Sequence, residues 1–254
     1  MGLRPRVIPV LLLQNGKLVK TFKFKQAKYV GDPINAVKIF NEKEVDELIL
    51  LDISSSINGN EPNYKLIHKI VSEAFMPVGY GGGIQNSEQA KRIFDLGIEK
   101  VIINTALQHH PDLVTNISSV YGSSSMVCGI DYKKNIFGRN KVYFRGGSLR
   151  SAYDPVDWAI KLQDIGAGEI FLNNIDREGT YSGYDFDMLS RIALKVNLPV
   201  VISGGASDNN DFKKAVQCGA SGMAAGSMFI YKRPHNAVLI SYPSNDEIKK
   251  IYSD

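Results

Sequence analysis

The chain has 254 residues, 44% of them hydrophobic, and a formal net charge of +4 from 30 basic and 26 acidic side chains. No apolar run approaches the roughly 18 residues that a membrane span needs. The charge is too modest to mark a nucleic-acid binder, and two isolated cysteines build no disulfide framework. These bounds point to a cytoplasmic protein with free thiols at Cys128 and Cys218 and with anionic small molecules as ligands. The start, Met1 to Arg6, lacks a small-residue cleavage site and is not read as a signal peptide. His68, His109, His110 and His235 show no metal spacing, so neither a metal nor another cofactor is expected.

Arg6 to Leu13 is an apolar run of strand length. Gln14-Asn15-Gly16 turns it into Lys17 to Phe22, which extends as a ribbon, and Lys23 to Tyr29 follows as a basic, aromatic stretch. A loop of this length after a first strand is expected to act as a lid, against the plainer reading of a solvated hairpin. Asp32 as N-cap and Pro33 at the first helical position open the first helix, with Ile34, Val37, Ile39 and Phe40 at helical spacing. Glu47 to Ile53 is the second strand, ending at the carboxylate of Asp52. Ser54 to Asn63 reads as a polar loop, Tyr64 to Ala74 as the second helix and Met76 to Tyr80 as the third strand. A helix from Ser87 to Leu96, a strand from Lys100 to Ile103 and a helix from Pro111 to Tyr121 complete the first half.

Met126 to Asp131 is the fifth strand, and Lys133 to Arg145 reads as a ribbon insertion around Gly138. Asp154 caps a helix from Pro155 to Ile165. The sixth strand is Glu169 to Ile175, followed by a glycine-rich loop from Asp176 to Asp185 and a helix to about Val196. Val200 to Ser203, a helix over Asp211 to Cys218 and the run opening at Gly222 end the alternation. The tail from Lys232 to Asp254 holds one short polar helix at best.

Eight strands alternating with helices predict a (β/α)8 TIM barrel, one domain spanning 1–254. The sequence also repeats at half length. Pro77-Val-Gly-Tyr-Gly-Gly-Gly-Ile is followed by Lys100-Val-Ile-Ile-Asn-Thr-Ala, as Pro199-Val-Val-Ile-Ser-Gly-Gly-Ala is followed by Gly222-Met-Ala-Ala-Gly-Ser-Met. Gly83 to Thr105 and Gly205 to Ser227 are both 22 residues, and Pro77 and Pro199 lie 122 apart. One glycine pair after a strand is usually only a turn. Two pairs at matched spacing suggest two half-barrels, each with a cup where backbone N–H groups can meet a phosphate.

Gly31-Asp-Pro, Leu51-Asp-Ile, Gly81-Gly-Gly-Ile, Lys100-Val-Ile-Ile-Asn-Thr-Ala, Ile130-Asp, Asp176-Arg-Glu-Gly-Thr, Ser182-Gly-Tyr-Asp, Ser203-Gly-Gly-Ala and Ala225-Gly-Ser fall in order along the chain. In these motifs the sequence resembles the HisF family, the cyclase subunit of imidazole glycerol phosphate synthase. The resemblance implies a ligand with two phosphates and ammonia delivered through the barrel by a HisH-like glutaminase. It places Gly82, Gly83, Asn104 and Thr105 in one phosphate cup, and Gly179, Gly204, Gly205, Ala225, Gly226 and Ser227 in the other. Lys20 would stand near the substrate, with Asp52, Asn173, Asp176 and Ser203 as further substrate contacts. Asp131 would be a catalytic carboxylate, and Arg6, Glu47, Lys100 and Glu169 the charged gate at the ammonia entrance.

One position departs from the family. Its second catalytic aspartate belongs at the end of the first strand, where this chain has Leu12. Leucine transfers no proton, and losing one positioned acid or base lowers rates by roughly 100- to 10,000-fold. Asn173-Asn174 replaces small hydroxylated residues, either as ligand contacts or as strand caps. The pattern resembles diverged relatives from surface-polysaccharide pathways. There a glutaminase and a separate sugar amidotransferase turn an N-acetyl group of a nucleotide sugar into an acetamidino group. The resemblance thus implies an ammonia-receiving subunit of a glutamine-dependent amidotransferase. The alternatives are the histidine-pathway cyclase and a non-catalytic scaffold that activates the glutaminase. Neither nucleic acid nor membrane is an expected partner.

Overall fold

The computed structural model describes residues 4–252; the first three residues of the start and the last two of the tail lie outside it. Eight parallel strands close on themselves: β1 (Arg6–Gln14), β2 (Leu48–Asp52), β3 (Val78–Gly81), β4 (Lys100–Ile103), β5 (Met126–Lys134), β6 (Glu169–Asn174), β7 (Val200–Ser203) and β8 (Gly222–Ala225). Each pairs with the next, and β8 returns to β1 with Gly222 opposite Arg6 and Ala224 opposite Ile8. This is the (β/α)8 barrel expected from the alternation.

The period of two along each strand splits the apolar residues into two cores. On β1, Ile8, Val10 and Leu12 point inward, joining Ile49, Ile102, Val127, Phe171, Val201 and Ala224 in a cluster within the barrel. Val7, Leu11 and Leu13 point outward, into the larger cluster under the helices. The helices are α1 (Pro33–Glu42), α2 (Tyr64–Val71), α3 (Ser87–Asp95), α4 (Asp112–Tyr121), α5 (Pro155–Asp164), α6 (Phe186–Ala193), α7 (Asn209–Gln217) and α8 (Asn245–Tyr252). Asp32 accepts from the N–H of Asn35, and Asp154 from that of Val156, each ahead of a proline at the helix start. Both caps match the expectation.

Two segments differ from it. Ser54 to Asn63 is not all loop, because Ile53–Asn58 forms a short helix. Asp52 caps its start through the N–H groups of Ser54 and Ser55, and Gly59 ends it in the left-handed region at φ +70°. The tail does hold the one short polar helix expected of it, α8, but that helix is docked rather than solvated. Its two apolar residues, Ile248 and Ile251, are buried, and the helix packs on α7. Those two isoleucines stand among Asp, Glu and Lys, so the stripe is too narrow to register as an apolar face.

Two ribbons rise at the C-terminal ends of the strands. Lys17–Phe22 pairs back onto β1 and onto Lys25–Gly31, and Asn140–Phe144 pairs onto the extension of β5.

Close backbone approach sets one glycine without any unusual dihedral. A Cβ on Gly168, just before β6, would overlap the carbonyl of Ser123, which is backbone and has no rotamer to yield. Gly168→Ala should therefore destabilise the barrel by about 1–3 kcal/mol, the usual range for overpacking. That corresponds to a fall in Tm of a few degrees per kcal/mol, read by thermal denaturation. An unchanged Tm would show that the Gly168 turn has slack.

Candidate functional site

At the N-terminal end of the barrel four charges meet. Arg6 starts β1, Glu47 precedes β2, Lys100 starts β4 and Glu169 starts β6. Arg6 bonds Glu47 through one guanidinium nitrogen and Glu169 through the other at 2.7 Å. Lys100 Nζ reaches both carboxylates at 3.2 Å. Burial works against the Arg6 charge, but Glu169 and Glu47 outweigh it and raise its pKa above the ordinary guanidinium value. Both glutamates are buried, and Oε1 of Glu169 has no hydrogen-bond partner. The inner apolar cluster lies directly above this ring.

At the other end a cavity of about 570 Å³ opens between the ribbons. Of the residues singled out from sequence, Asp52, Gly82, Gly83, Asn104, Thr105, Asp131, Asn173, Ser203 and Gly226 line it. Asp131 stands on β5 beside Asn173, whose amide donates to it at 3.3 Å. Burial pushes the Asp131 carboxyl up to about 7; the Asn173 bond opposes this and the charge of Glu178 adds to it. Across the barrel, Leu12 is paired with Val19 and Leu51 and is only 7% exposed, so an apolar wall faces Asp131.

The two glycine pairs are structural repeats of one another. Gly82 lies against the carbonyl of Asp52 at φ +127°, as Gly204 lies against that of Asn174 at φ +89°. Gly83 packs on the carbonyl of Asn60, and Gly205 on that of Gly183. In each half a Cβ would collide with the preceding loop. Around the first pair, Ser56 Oγ accepts from Gly83 N–H at 3.4 Å, Asn104 donates to the Gly129 carbonyl at 3.0 Å, and Thr105 Oγ1 accepts from the Arg145 N–H at 3.0 Å. Gly179, Gly204, Gly205, Ala225, Gly226 and Ser227 enclose a second, far smaller hollow of about 10 Å³.

Lys20 reaches down from the first ribbon and is 3% exposed. Its ammonium donates to the Val10 carbonyl at 2.6 Å and lies over Gly226, where a Cβ would displace it. Burial pushes its pKa down to about 8, while the charge of Glu178 pulls the other way. The ribbon is also pinned by a bond of 3.0 Å from the Lys23 N–H to the Glu178 carbonyl. The stretch expected to be a lid thus lies over the β6–β8 side of the mouth.

Glu178 escaped the sequence reading as a site residue, although it sits in the quoted Asp176-Arg-Glu-Gly motif. It borders both hollows and is buried. Burial raises its pKa, and the charge of Lys20 lowers it. An acid inside a glycine-rich loop after a barrel strand was the signal available. Two other carboxylates are tied locally. Asp52 accepts from the N–H and hydroxyl groups of both Ser54 and Ser55, at 2.7–3.0 Å, three bonds on Oδ1 and one on Oδ2, so it caps the short helix while also lining the cavity. Asp176 accepts from the Lys134 N–H at 2.9 Å and lies outside the walls of both hollows. Of the asparagine pair, Asn173 faces the cavity, while Asn174 bonds Asp185 and the Asp176 N–H.

A carboxyl pushed up to about 7, a buried amine beside a second acid, and a cavity at the C-terminal ends of the strands are gathered at the mouth of a (β/α)8 barrel, where the fold places its reactive groups. Comparison with known proteins makes the class specific. The family described as histidine biosynthesis protein matches residues 6–235. A Pseudomonas aeruginosa protein, named provisionally as imidazole glycerol phosphate synthase subunit hisF2, is 49% identical over 247 residues, 96% of this chain and 98% of that one. A Leptospira interrogans protein, named provisionally as subunit HisF, is 44% identical over 252 residues, 98% of this chain and 99% of its own length. Imidazole glycerol phosphate synthase subunit HisF of Streptomyces coelicolor is 36% identical over 229 residues, 90% of this chain and 91% of its own length. The chain belongs to the histidine biosynthesis protein family and is a HisF-like barrel within it. Among the described residues, no helix is long and apolar enough to cross a membrane.

The raised pKa of Asp131 fixes a pH dependence of stability. An unfolded aspartate titrates near about 3.9, whereas the native one titrates at about 7. Between those values the unfolded chain binds fewer protons, so this group's contribution to stability falls as pH rises, and it is constant above the window. Asp131→Asn removes the burial penalty. Its Tm should match the parent near pH 4 and exceed it by a margin that widens up to about pH 7. A margin that stays flat in paired melts across that range would refute the buried-acid assignment.

Proposed function

We infer that the protein is the ammonia-receiving subunit of a glutamine-dependent amidotransferase, working with a HisH-like glutaminase docked on the charged ring. The observation that carries this reading is the alignment of three layers along one axis. The ring of Arg6, Glu47, Lys100 and Glu169 lies below, the apolar interior in the middle, and the cavity with Asp131 above. Neutral ammonia crosses an apolar interior at little cost, while ammonium is held back by the desolvation of its charge. The glycine pairs supply phosphate cups at the mouth, and Lys20 and Asp131 supply proton carriers that work near neutral pH, beside a Glu178 carboxyl raised by burial.

The finer reading is a role in making an acetamidino sugar for surface polysaccharide. Leu12 is the residue that favours it. A cyclase working from both faces of a forming ring needs acid or base on each, and at the end of β1 the Leu12 side chain is carbon, which leaves Lys20 on the Val10 carbonyl as the neighbouring group able to carry a proton. In the amidine reaction, ammonia adds to the amide carbon and the amide oxygen leaves, formally as water. Activation of that oxygen falls to the separate sugar amidotransferase. The histidine-pathway cyclase remains the second reading, supported by the similarity to the Streptomyces coelicolor HisF subunit.

The deciding experiment supplies purified protein with the phosphoribulosyl precursor of the cyclase reaction and excess ammonium salt, and follows precursor consumption. No turnover is expected, and Leu12→Asp should raise it less than about 10-fold. Turnover by the natural chain, or a gain in the roughly 100- to 10,000-fold range that a restored acid or base delivers, would establish the cyclase instead.

A further inference from the structure

The charge of this chain is not spread evenly. Residues 15–31 and 132–153, which hold the two ribbons at the mouth, carry eleven of the 30 lysines and arginines and none of the 26 acidic side chains. The remainder of the chain is therefore net acidic, although the whole stands at +4. Among the described residues, none of the eleven makes an ion pair. Lys20 is buried, whereas the other ten are exposed or half-exposed. Several are held by neutral partners. Lys133 Nζ donates to the Gly147 carbonyl at 2.9 Å, Lys141 Nζ donates to the Ala152 carbonyl at 2.6 Å, and Lys17 lies over the Tyr29 ring at 5.9 Å.

Apolar side chains stand among these cations. Phe22 and Tyr29 are exposed on the first ribbon, and at the tip of the second Ile136 is 89% and Phe137 76% exposed. Local structure fixes that tip. Asn135 Oδ1 accepts from the N–H groups of Phe137 and Arg139 at 2.9 and 3.0 Å, the Asn135 N–H bonds the Arg139 carbonyl at 2.8 Å, and Gly138 turns the chain at φ +72°. Side chains presented on a turn that is already closed lose little further freedom on binding. The outer strand of the first ribbon, Lys25–Gly31, is paired on one side only. Lys25 and Lys28 on it guard the open edge against pairing with another strand.

Unpaired cations around exposed aromatic and aliphatic side chains make one half of an interface whose other half is acidic. We propose that the two ribbons form the docking surface for a second protein, one whose contact face is acidic and carries an apolar cleft for Ile136 and Phe137. A second copy of this chain does not fit. Face to face, cation would meet cation, and ribbons seated on the acidic remainder of a neighbour would leave the next ribbons free, giving an open filament. The apolar anchors stand on two ribbons with the cavity opening between them, a concave outline that a shaped protein surface follows and a flat lipid surface does not. The partner therefore sits over the mouth, at the opposite end of the barrel from the charged ring, so that it and the glutaminase bind at once. In the ammonia-receiving reading, on which this role rests, it is the component that takes up the ammonia leaving the barrel.

The test expresses the tagged full chain in its own organism and identifies by mass spectrometry what co-purifies with it. Two variants are run beside it, Phe137→Ser and the double charge reversal Lys25→Glu with Arg139→Glu. All three side chains are exposed, so the variants should keep the parent Tm. One protein should be lost with both variants while the glutaminase is retained. Purified, that protein should bind the natural chain directly, and each variant should weaken binding by about 10-fold or more. Raising salt from about 0.05 to 0.5 M should weaken it by a similar factor, because exposed charges are screened. Recovery of the same proteins with all three chains would overturn the docking surface. Binding that neither salt nor the charge reversal changes would overturn the acidic partner. Binding of the natural chain, but not of the variants, to phosphatidylglycerol vesicles or to single-stranded DNA, with no such protein found, would reassign the ribbons to lipid or nucleic acid and overturn the proposal. Absence of a glutaminase from every preparation would overturn the ammonia-receiving reading and leave the ribbon result to stand on its own.

Discussion

The hydrogen-bonded return of β8 onto β1 is the interaction on which the rest of the molecule depends. It places Arg6 opposite Gly222 and fixes which residues of β1 point inward. A register slip of one residue would turn Ile8, Val10 and Leu12 out to the helices and bring Val7, Leu11 and Leu13 into the axis. With closure, every inner residue is stacked at a known height, charge at the base, carbon in the middle and polar groups at the top. The small residues of β8, Gly222 and Ala224, allow this. A Cβ on Gly222 would meet Ile8 at 3.1 Å and Val201 at 3.0 Å.

The ring at the base is a costly way to close a barrel. Both glutamates are nearly dry, and pairs of this kind often stabilise less than apolar residues of equal volume. Two cations and two anions balance, and each carboxylate meets both cations. One buried oxygen of Glu169 is nonetheless left without a partner.

At the mouth the electrostatics are set by scarcity of water. Asp131, Glu178 and Lys20 each lose solvation; the charges of Lys20 and Glu178 oppose that loss for each other, whereas at Asp131 the Glu178 charge adds to it and only the Asn173 bond opposes it. The acids are driven up and the amine is driven down, so all three move toward neutrality. Asp131 at about 7 and Lys20 at about 8 thereby come within the range where a group can both give and take a proton.

Much of this was legible in the chain itself. Apolar runs of strand length, punctuated by helices with Asp-Pro starts, determined the barrel, because burial on both faces and N-capping are local in sequence. The repeat of glycine pairs at equal spacing determined the two-fold plan, and Leu12 announced itself by breaking it. Other features needed the tertiary structure. Asp52 ends a strand and lines the cavity, yet it also caps the short helix through Ser54 and Ser55, a tie the sequence did not show. Glu178 looks like one more loop acid, yet folding of the Asp176–Asp185 loop and docking of the first ribbon bury it beside Lys20. The two isoleucines of α8 are buried because the tail folds back onto α7, a contact no local pattern announces. Pattern and capping depend on neighbours along the chain, so sequence fixes them alone. Burial, charge pairing and the pKa values that follow depend on what the closed barrel brings across space.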